Sequence, residues 1–376
     1  MNMKFVLRSL ASAVVATVTL SLSAAELAPR WSAEKANAWY QEKQWLVGCN
    51  FGPSTAINQL EMWQADSFDP ATIDKELGWA ESLGFNSLRV FLHDIPWQQD
   101  SKGFCERIDK FLELADKHRI GVMFVIFDSC WEPYPKAGKQ RAPKPHVHNS
   151  GWVQSPGLDI LKDPAKCDAL QPYVQGILRR FGNDKRVQVW DLFNEPDNRN
   201  DSSYGKLEPA NKGELAMSLL KKTVAWAREI NPSQPLTVGI WGDAAAMDNP
   251  NALTRYILDN SDVISFHNYG NFADMRKEVE ALKKFGRPLL CTEYMARPTG
   301  STFQSILPYM RETRVSAYNW GFVSGKTQTI YPWDSWKKTY TAEPPLWFHD
   351  IFRADGTAYK ADEVQAIRRV TGKLAQ

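Results

Sequence analysis

Two glutamates in this chain each follow a strongly apolar run, at the point where a buried strand would end. Glu195 closes the segment "VQVWDLFNEP", and Glu293 lies in the segment "PLLCTEYM". If both strands are parallel members of one sheet, both carboxylates lie at the same edge of that sheet. Two carboxylates on either side of one bond can act as proton donor and as nucleophile or base, which is the pairing that glycosidic bond cleavage requires.

Eight short apolar runs alternate with amphipathic stretches along the chain. They cover residues 45–51, 85–92, 120–127, 187–193, 236–241, 262–269, 287–294 and 315–322. Strands that are buried on both faces and separated by helices indicate parallel pairing with helical crossovers. Eight such units predict a single closed (β/α)8 barrel, and no GxGxxG motif opens the first helix as an open dinucleotide-binding sheet would require.

The stretches between the runs have the apolar spacing of helices. Asp69 and Pro70 predict a helix start, Ile73 and Leu77 share its apolar face, and Gly84 ends it. Further helices are predicted at 105–119, 163–181, 212–232, 250–259, 272–285 and 301–313, with one or two near 343–373.

Three connections are longer than a barrel needs, at residues 128–162, 196–212 and 323–345. All three follow a strand, which places them on the C-terminal face where the active sites of barrels lie. Loops of this length in a compact domain usually have a function, so we expect them to shape the site around the two glutamates.

The N-terminus has the pattern of a signal peptide. Lys4 and Arg8 precede an apolar stretch over 10–22, and small residues follow up to Ala25. We therefore expect residues 1–25 to be removed and residues 26–376 to form one catalytic domain. The mature protein is then secreted or periplasmic, and is not inserted in a membrane.

Composition excludes some partners. The chain is 43% hydrophobic and 23% charged with a formal net charge of +2, which gives no reason to expect nucleic acid as a partner. We expect a monomer.

The 15 Trp residues are enough to fill a core and also to stack on ring-shaped ligands in a cleft. The five cysteines permit a disulfide and leave at least one thiol unpaired, and the absence of a CxxC pair argues against a zinc site.

The motifs "FNEP" and "TEY" resemble those of clan A of the glycoside hydrolases, above all the family 5 cellulase and mannanase group. The resemblance extends over the whole mature chain, because residues on other strands also match. These further matches are Arg89 on the second strand, Asn194 before the first glutamate, His267 and Tyr269 in "SFHNYG", and Trp320 in "YNWG".

The resemblance implies a retaining β-glycosidase with an oligo- or polysaccharide substrate and no cofactor or metal. Glu293 is then the nucleophile and Glu195 the acid/base. Burial would keep Glu195 neutral, whereas Arg89 and Tyr269, if close, would hold Glu293 charged.

The resemblance also places three residues against the sugar. Asn194 would donate to a substrate 2-hydroxyl, and His267 belongs to the same substrate-binding set. Trp320 would provide a flat apolar floor for one ring.

The third strand departs from the family pattern, since "FDSCWEP" stands where a histidine is usual. Asp128 either accepts from a sugar hydroxyl or only caps the loop, and Trp131 is a candidate sugar contact. Other subsite candidates near strand ends are Asp94, Trp97, Trp241, Trp333 and Trp336. His146 and His148 look like ordinary surface residues of a loop, so we expect no metal there.

Two alternatives remain open. The enzyme is either a cellulase- or mannanase-like hydrolase, or an exo-acting β-mannosidase, β-glucosidase or transglycosylase. Outside enzymes, the alternative is a catalytically silent carbohydrate-binding barrel, which predicts that one catalytic carboxylate is missing.

Overall fold

Eight parallel strands form the centre of the structure, a computed structural model that describes Met1, residues 27–242 and residues 247–374. The strands are β1 (Val47–Asn50), β2 (Ser87–Phe91), β3 (Gly121–Asp128), β4 (Val187–Asn194), β5 (Leu236–Gly239), β6 (Ile264–His267), β7 (Leu289–Tyr294) and β8 (Ser316–Asn319). Each overlaps one of the eight predicted runs, and the (β/α)8 barrel is confirmed. The predicted signal peptide lies outside the described residues apart from Met1.

The strands follow one another around the barrel, with β1 hydrogen-bonded to both β2 and β8. The barrel closes between β5 and β6 through the bridge that pairs Ile240 with Phe266. There, the backbone N–H of His267 donates to the Ile240 carbonyl at 2.9 Å. All eight C-terminal strand ends therefore surround one mouth.

Helices cover the outside of the barrel. They are α1 (Ala33–Gln41), α2 (Gln59–Trp63), α3 (Pro70–Ser82), α4 (Asp94–Gln99), α5 (Ser101–Lys117), α6 (Leu158–Leu161), α7 (Pro164–Asp168), α8 (Gln171–Phe181), α9 (Lys212–Ile230), α10 (Ala252–Asn260), α11 (Phe272–Lys283), α12 (Phe303–Glu312) and α13 (Ala361–Thr371). Short 3-10 helices cover Gly205–Leu207, Arg297–Thr299 and Trp333–Trp336. The start of α3 is as predicted, because the Asp69 side chain accepts from the Thr72 N–H.

One helix prediction was wrong in detail. The single helix expected over 163–181 is divided into α7 and α8, because Pro172 lacks an N–H and is favoured in the first turn of a new helix. Near 343–373, where one or two helices were expected, the described chain has one, α13, since the prolines at 344 and 345 keep the preceding segment irregular.

The core has two main parts. Most apolar side chains lie between the strands and the outer helices, as in the pairs formed by Phe124 with Trp190 and with Phe111. A smaller cluster fills the N-terminal end of the barrel, where Tyr40 of α1 packs beneath inward-facing residues such as Tyr318. This packing fixes the strands, and the strand ends on the opposite face can then carry polar groups.

Three long loops form the C-terminal face: the β3 loop (residues 129–157), the β4 loop (195–211) and the β8 loop (320–360). All five cysteines are free thiols on different elements, so no disulfide links these loops. Within residues 27–242 and 247–374, no helix is both long and apolar enough to cross a membrane.

Candidate active site

A cavity of about 770 Å³ opens at the C-terminal mouth of the barrel, within the usual range of ligand sites. Both predicted catalytic glutamates face it. Its other lining residues include Cys130, Trp131, His148, Asn149, Asn194, Asn198, Trp241, His267, Tyr269, Trp320, Trp333 and His349. Eight of the ten predicted site residues line this cavity. The other two contact lining residues from behind: Asp128 accepts from Asn194, and Arg89 lies beneath the floor against Glu293.

Glu195 follows the last residue of β4 in a backbone conformation that is uncommon outside glycine, with φ of 44°. Such strain is found at functional sites where the surroundings hold it. The carboxylate is buried and accepts from the Asn198 amide at 2.6 Å and from the Cys130 thiol at 3.1 Å. Its other oxygen shares a hydrogen bond of 2.5 Å with Nδ1 of His267.

Glu293 lies on β7 and has charged as well as neutral partners. The Arg89 guanidinium donates to Oε1 at 2.9 Å, and the Tyr269 hydroxyl donates to Oε2 at 2.7 Å. One carboxylate oxygen of Glu195, one of Glu293 and a ring nitrogen of His267 all lie within 4.8 Å of one another. The two glutamates thus face each other across a narrow gap.

Arg89 on β2 is fully buried and anchors the Glu293 side of the site. All five of its N–H donors are used. They reach Asp191 twice, at 3.1 and 2.7 Å, Asn50 at 3.0 Å, Asn194 at 2.6 Å and Glu293 at 2.9 Å. Because a planar guanidinium fixes the directions of its bonds, Arg89 sets the orientation of both Glu293 and Asn194.

Burial raises the pKa of both glutamate carboxyls, Glu195 and Glu293, but the opposing contacts differ. At Glu293 burial is opposed by His267, by the positive charge of Arg89 and by the Tyr269 hydroxyl. At Glu195 it is opposed first by the Asn198 amide and the Cys130 thiol, which are neutral donors. A proton shared by the pair therefore resides on Glu195, since the ion pair with Arg89 favours the charged form of Glu293.

Asp128 holds the loop rather than the cavity surface. It accepts from the Trp152 indole at 2.7 Å, the Asn194 amide at 2.9 Å and the backbone N–H of Cys130 at 3.0 Å. Burial raises its pKa to about 6. Of the two open alternatives, these contacts favour loop capping over a sugar contact. Asn194, fixed by Asp128 and Arg89, turns its remaining N–H toward Cys130 and the cavity.

The predicted tryptophans take different places around the mouth. Trp131 stacks on Trp336 at 5.9 Å and forms part of one wall. Trp241 is 46% exposed at the rim, where its indole donates at 2.8 Å to Asp197, two residues after Glu195. Trp333 packs edge-on against Tyr269 at 5.2 Å. Asp94 and Trp97, by contrast, make contacts away from the cavity, with Ser155 and Tyr173 respectively.

Trp320 follows β8 and lines the cavity while packing edge-on against Phe91 at 5.8 Å and Trp152 at 5.6 Å. We expect Trp320→Ala to lower kcat/KM by about 10²-fold, because stacking and the orientation of the reacting sugar are both lost. Trp320→Phe should keep part of this effect, since a smaller flat ring remains. Thermal unfolding and kinetics, measured on one preparation of Trp320→Ala, distinguish a sugar contact from a purely structural role. A large fall in Tm with unchanged kcat/KM would contradict the sugar contact.

Cys130 was not expected at the site and contacts Glu195 directly. Burial raises the pKa of its thiol, so the S–H remains a donor to Glu195. Because this bond favours ionised Glu195, Cys130→Ala should raise the pKa of Glu195 further. The alkaline limb of kcat/KM against pH then moves to higher pH, and kcat/KM falls by up to about tenfold, the worth of one hydrogen bond. Cys105→Ala on α5 is the matched control, and an unmoved or lowered alkaline limb would show that the thiol does not tune the acid.

The trio Glu195, His267 and Glu293 is close enough to hold a metal ion. That no metal is required stays a prediction. We expect EDTA to leave kcat/KM unchanged, and added Zn²⁺ to inhibit because it would occupy the three groups that the reaction uses. Loss of activity in EDTA that zinc or calcium restores would contradict this assignment.

Several site residues could not be identified from the sequence motifs. Asp191 could have been found from the sequence, because an acidic residue inside an apolar strand needs a buried partner of opposite charge. That partner is Arg89. His148 was expected on the surface, but it is buried and lines the cavity, because its loop folds back under the β8 loop. No recognisable sequence motif identifies the other site residues, which are Asn50, Cys130, Asn149, Asn198 and His349.

Solved structures with the same fold include several glycosidases of low sequence identity. An exo-β-1,4-mannosidase from Opitutaceae bacterium strain TAV5 is 18% identical with a TM-score of 0.56, over 87% of this chain and 60% of that one. The endo-β-1,4-mannanase from Thermotoga petrophila is 13% identical with a TM-score of 0.55, over 87% and 76%. A GH5_18 protein from Streptomyces cattleya, solved in complex with GlcNAc, is also 13% identical with a TM-score of 0.55, over 88% and 81%.

Comparison with protein-family models and with curated proteins found no match. At these identities, the likeness to solved structures establishes the fold. The chain is a (β/α)8 barrel of the kind found in these glycosidases, which is the fold expected from the resemblance of its motifs to those of clan A.

Proposed function

We propose that this protein is an exported, retaining β-glycoside hydrolase that cleaves O-glycosidic bonds in β-linked oligo- or polysaccharides. The observation that carries the proposal is the Glu195–Glu293 pair, whose nearest oxygens lie within 4.8 Å at the floor of one cavity. Carboxyl groups about 5–5.5 Å apart are typical of retaining glycosidases, whereas inverting enzymes need about 6.5–9.5 Å to admit a water molecule. The short separation favours double displacement.

In the first step, an oxygen of Glu293 attacks the anomeric carbon and the bond to the leaving oxygen breaks. Arg89 and Tyr269 hold Glu293 ionised and aimed at that carbon. Glu195 transfers its proton to the leaving oxygen, for which its raised pKa prepares it.

In the second step, Glu195 is ionised and removes a proton from water, which attacks the anomeric carbon and releases Glu293. The Asn198 amide and the Cys130 thiol stabilise the charged acid/base in this phase. His267 can serve both phases, because burial lowers its pKa to about 4 and a neutral imidazole can either donate to or accept from Glu195. Two inversions at one carbon give net retention.

The cavity supports a sugar as the substrate. Trp320, Trp333 and Tyr269 offer aromatic surface, and amide and carboxyl groups lie between them. Mannose-linked substrates are the first to test, because an exo-mannosidase and an endo-mannanase share the fold. The silent binding barrel is not favoured, since both carboxylates are present and face each other.

A substrate panel tests the proposal. p-Nitrophenyl β-glycosides, β-mannan, β-glucan, cellulose and xylan should be compared, with ¹H NMR to identify the anomer that forms first. We expect hydrolysis of at least one β-glycoside with a β-anomer as first product. Initial release of the α-anomer would contradict retention, and no hydrolysis of any member would contradict the glycosidase function.

A further inference from the structure

The mouth of the barrel is blocked on one side of the catalytic pair. Trp152 of the β3 loop lies over the end of β2, edge-on to Phe91 at 5.3 Å and to Trp320, which follows β8, at 5.6 Å. Its indole is fixed by Asp128 at 2.7 Å. No residue of the loops after β1 and β2 lines the catalytic cavity among the described parts of the chain. A sugar chain therefore has no path across this side.

Hydrogen bonds between the β3 and β8 loops make this wall rigid. The backbone N–H of Asn149 donates to the Thr327 carbonyl at 2.8 Å, and that of His148 donates to the Ser335 hydroxyl at 3.0 Å. The Trp336 indole donates to the His148 carbonyl at 2.8 Å. The two loops thus form one continuous wall, which joins the aromatic cluster around Trp152.

Two buried polar side chains of this wall have atoms without a partner. Neither Oδ1 nor Nδ2 of Asn149 meets a hydrogen-bond partner within the described residues, and the same is true of Nε2 of His349. Both residues have 0% exposure and both line the cavity. Burying such groups unpaired is costly, so their retention here points to a ligand that completes them.

The chemistry of these atoms matches vicinal hydroxyl groups. The Asn149 amide offers a donor and an acceptor. Nδ1 of His349 bonds to the Met295 carbonyl, which can only accept, so Nδ1 carries the proton and Nε2 presents a lone pair. A sugar hydroxyl can donate to Nε2 and to the amide oxygen, and it can accept from the amide N–H.

The part of the wall around His349 lies on the nucleophile side of the site. The His349 ring is 5.5 Å from the Tyr269 ring, whose hydroxyl bonds to Glu293. The β4 side carries Glu195 with Asn198, and Trp241 marks an exposed rim there. Because the nucleophile bonds to the glycone and the acid protonates the leaving group, the closed wall borders the glycone and the open rim borders the leaving group.

We propose that Asn149 and His349 bind the hydroxyl groups of one terminal, uncharged sugar residue, so that the enzyme removes single residues from the non-reducing ends of its substrates. This proposal rests on the glycosidase function proposed above and decides between its exo- and endo-acting forms. It assigns the closed wall as a one-residue glycone site and the open rim as the site of the remaining chain.

The preference for an uncharged sugar follows from the charges around the wall. Burial lowers the pKa of His148 to about 4 and that of His349 well below its usual range, so both rings are neutral. Among the described lining residues, Lys277 of α11 is the one Lys or Arg, and it lies outside the β3 and β8 loops that form the wall. A glycone carboxylate would therefore be buried at the wall without a cation.

Product analysis tests the proposal directly. A hexasaccharide of the linkage that the substrate panel identifies, labelled at its reducing end, is digested and sampled at early times. We expect free monosaccharide and the labelled pentasaccharide as the first products. Early labelled di- and trisaccharides, which require internal cleavage, would overturn the one-residue site while upholding glycoside hydrolysis; no cleavage of any β-glycoside would overturn both proposals.

Variants of the wall give an independent test. Asn149→Gly removes the amide without strain, because Asn149 has φ of 48° and glycine adopts that conformation readily. We expect kcat/KM to fall by about tenfold or more, the effect of losing hydrogen bonds to substrate. The matched control is His146→Ala on the same loop, whose ring bonds to Tyr331 outside the cavity and whose loss should leave kcat/KM unchanged.

Deoxy substrates separate sugar binding from a merely structural role. We compare 3-, 4- and 6-deoxy glycones with the complete sugar. The wild type should have a lower kcat/KM on the one analogue that lacks the hydroxyl bound by Asn149. Asn149→Gly should hydrolyse that analogue and the complete sugar equally well, because the contact is already lost. If Asn149→Gly instead lowers kcat/KM relative to the wild type by the same factor on every analogue, Asn149 does not contact the sugar. A glycone uronide that is cleaved as well as its neutral counterpart would overturn the preference for an uncharged residue.

Discussion

Replacing Glu293 with alanine is expected to abolish turnover, and added azide is expected to restore it with formation of an α-glycosyl azide. The variant removes the atom that bonds to the anomeric carbon, and it leaves the Arg89 guanidinium beside a space that a small anion can enter. Azide then attacks from the face that Glu293 used. Since this is a single displacement, the product has inverted configuration.

The surroundings make the Glu293 experiment informative. Arg89 remains bonded to Asp191 and Asn194, so the buried charge is still paired and the fold should persist. Glu280→Ala, an exposed change on α11, is a matched control for the substitution itself. Residual activity of Glu293→Ala above about a tenth of wild type would contradict its role as nucleophile, because catalytic groups are worth about 10²-fold or more.

Replacing Glu195 with alanine should produce the opposite pattern. For substrates with poor leaving groups we expect kcat/KM to fall by about 10²–10⁴-fold, the usual worth of general acid catalysis. Dinitrophenyl glycosides need no proton and should still form the glycosyl-enzyme. Azide then attacks that intermediate from the side of Glu195, which gives a β-glycosyl azide of retained configuration.

The dependence on the leaving group separates Glu195 from a structural residue. A merely structural defect would lower kcat/KM by the same factor for every leaving group. The alkaline limb of the pH profile should also vanish on dinitrophenyl substrates, since it reports the loss of the Glu195 proton as pH rises through its raised pKa. An inverted azide product from Glu195→Ala would require the two roles to be exchanged.

The barrel could be predicted from the sequence because its strands are buried on both faces. A run such as Val187–Asn194 has nearly continuous burial, so it appears in the sequence as an uninterrupted apolar segment. Helix starts with a local signal, such as Asp69 before Pro70, were also predictable. The division at Pro172 was missed because amphipathic spacing continues across it.

The floor of the site was predictable for the same reason. Parallel strand ends meet at one mouth, so Glu195 and Glu293 had to converge once their strands were identified. The partners of Arg89 were only partly predictable. Its contact with Glu293 was expected, whereas Asn50 lies on β1 in a segment without a charged or motif residue to mark it.

The wall of the site was not predictable from the sequence. Asn149 and His349 are far apart in the chain, and they meet the cavity because irregular loops bond to each other through single backbone contacts such as Asn149 to Thr327. Hydrophobic periodicity in the sequence does not predict the course of such irregular loops. The residues that we propose to select the substrate therefore lie in loops, where secondary-structure propensity and hydrophobic patterning give the least information.

Trapping the covalent intermediate tests the central claim, that Glu293 is the nucleophile of a double displacement. The protein should be incubated with a 2-deoxy-2-fluoro-β-glycoside that carries a dinitrophenyl leaving group, digested and examined by mass spectrometry. We predict one fluoroglycosyl adduct per molecule, on the peptide that contains Glu293, and its slow loss when an acceptor is added. An adduct on Glu195, or full turnover of unfluorinated substrate with an α-anomer as first product and no adduct, would contradict the mechanism.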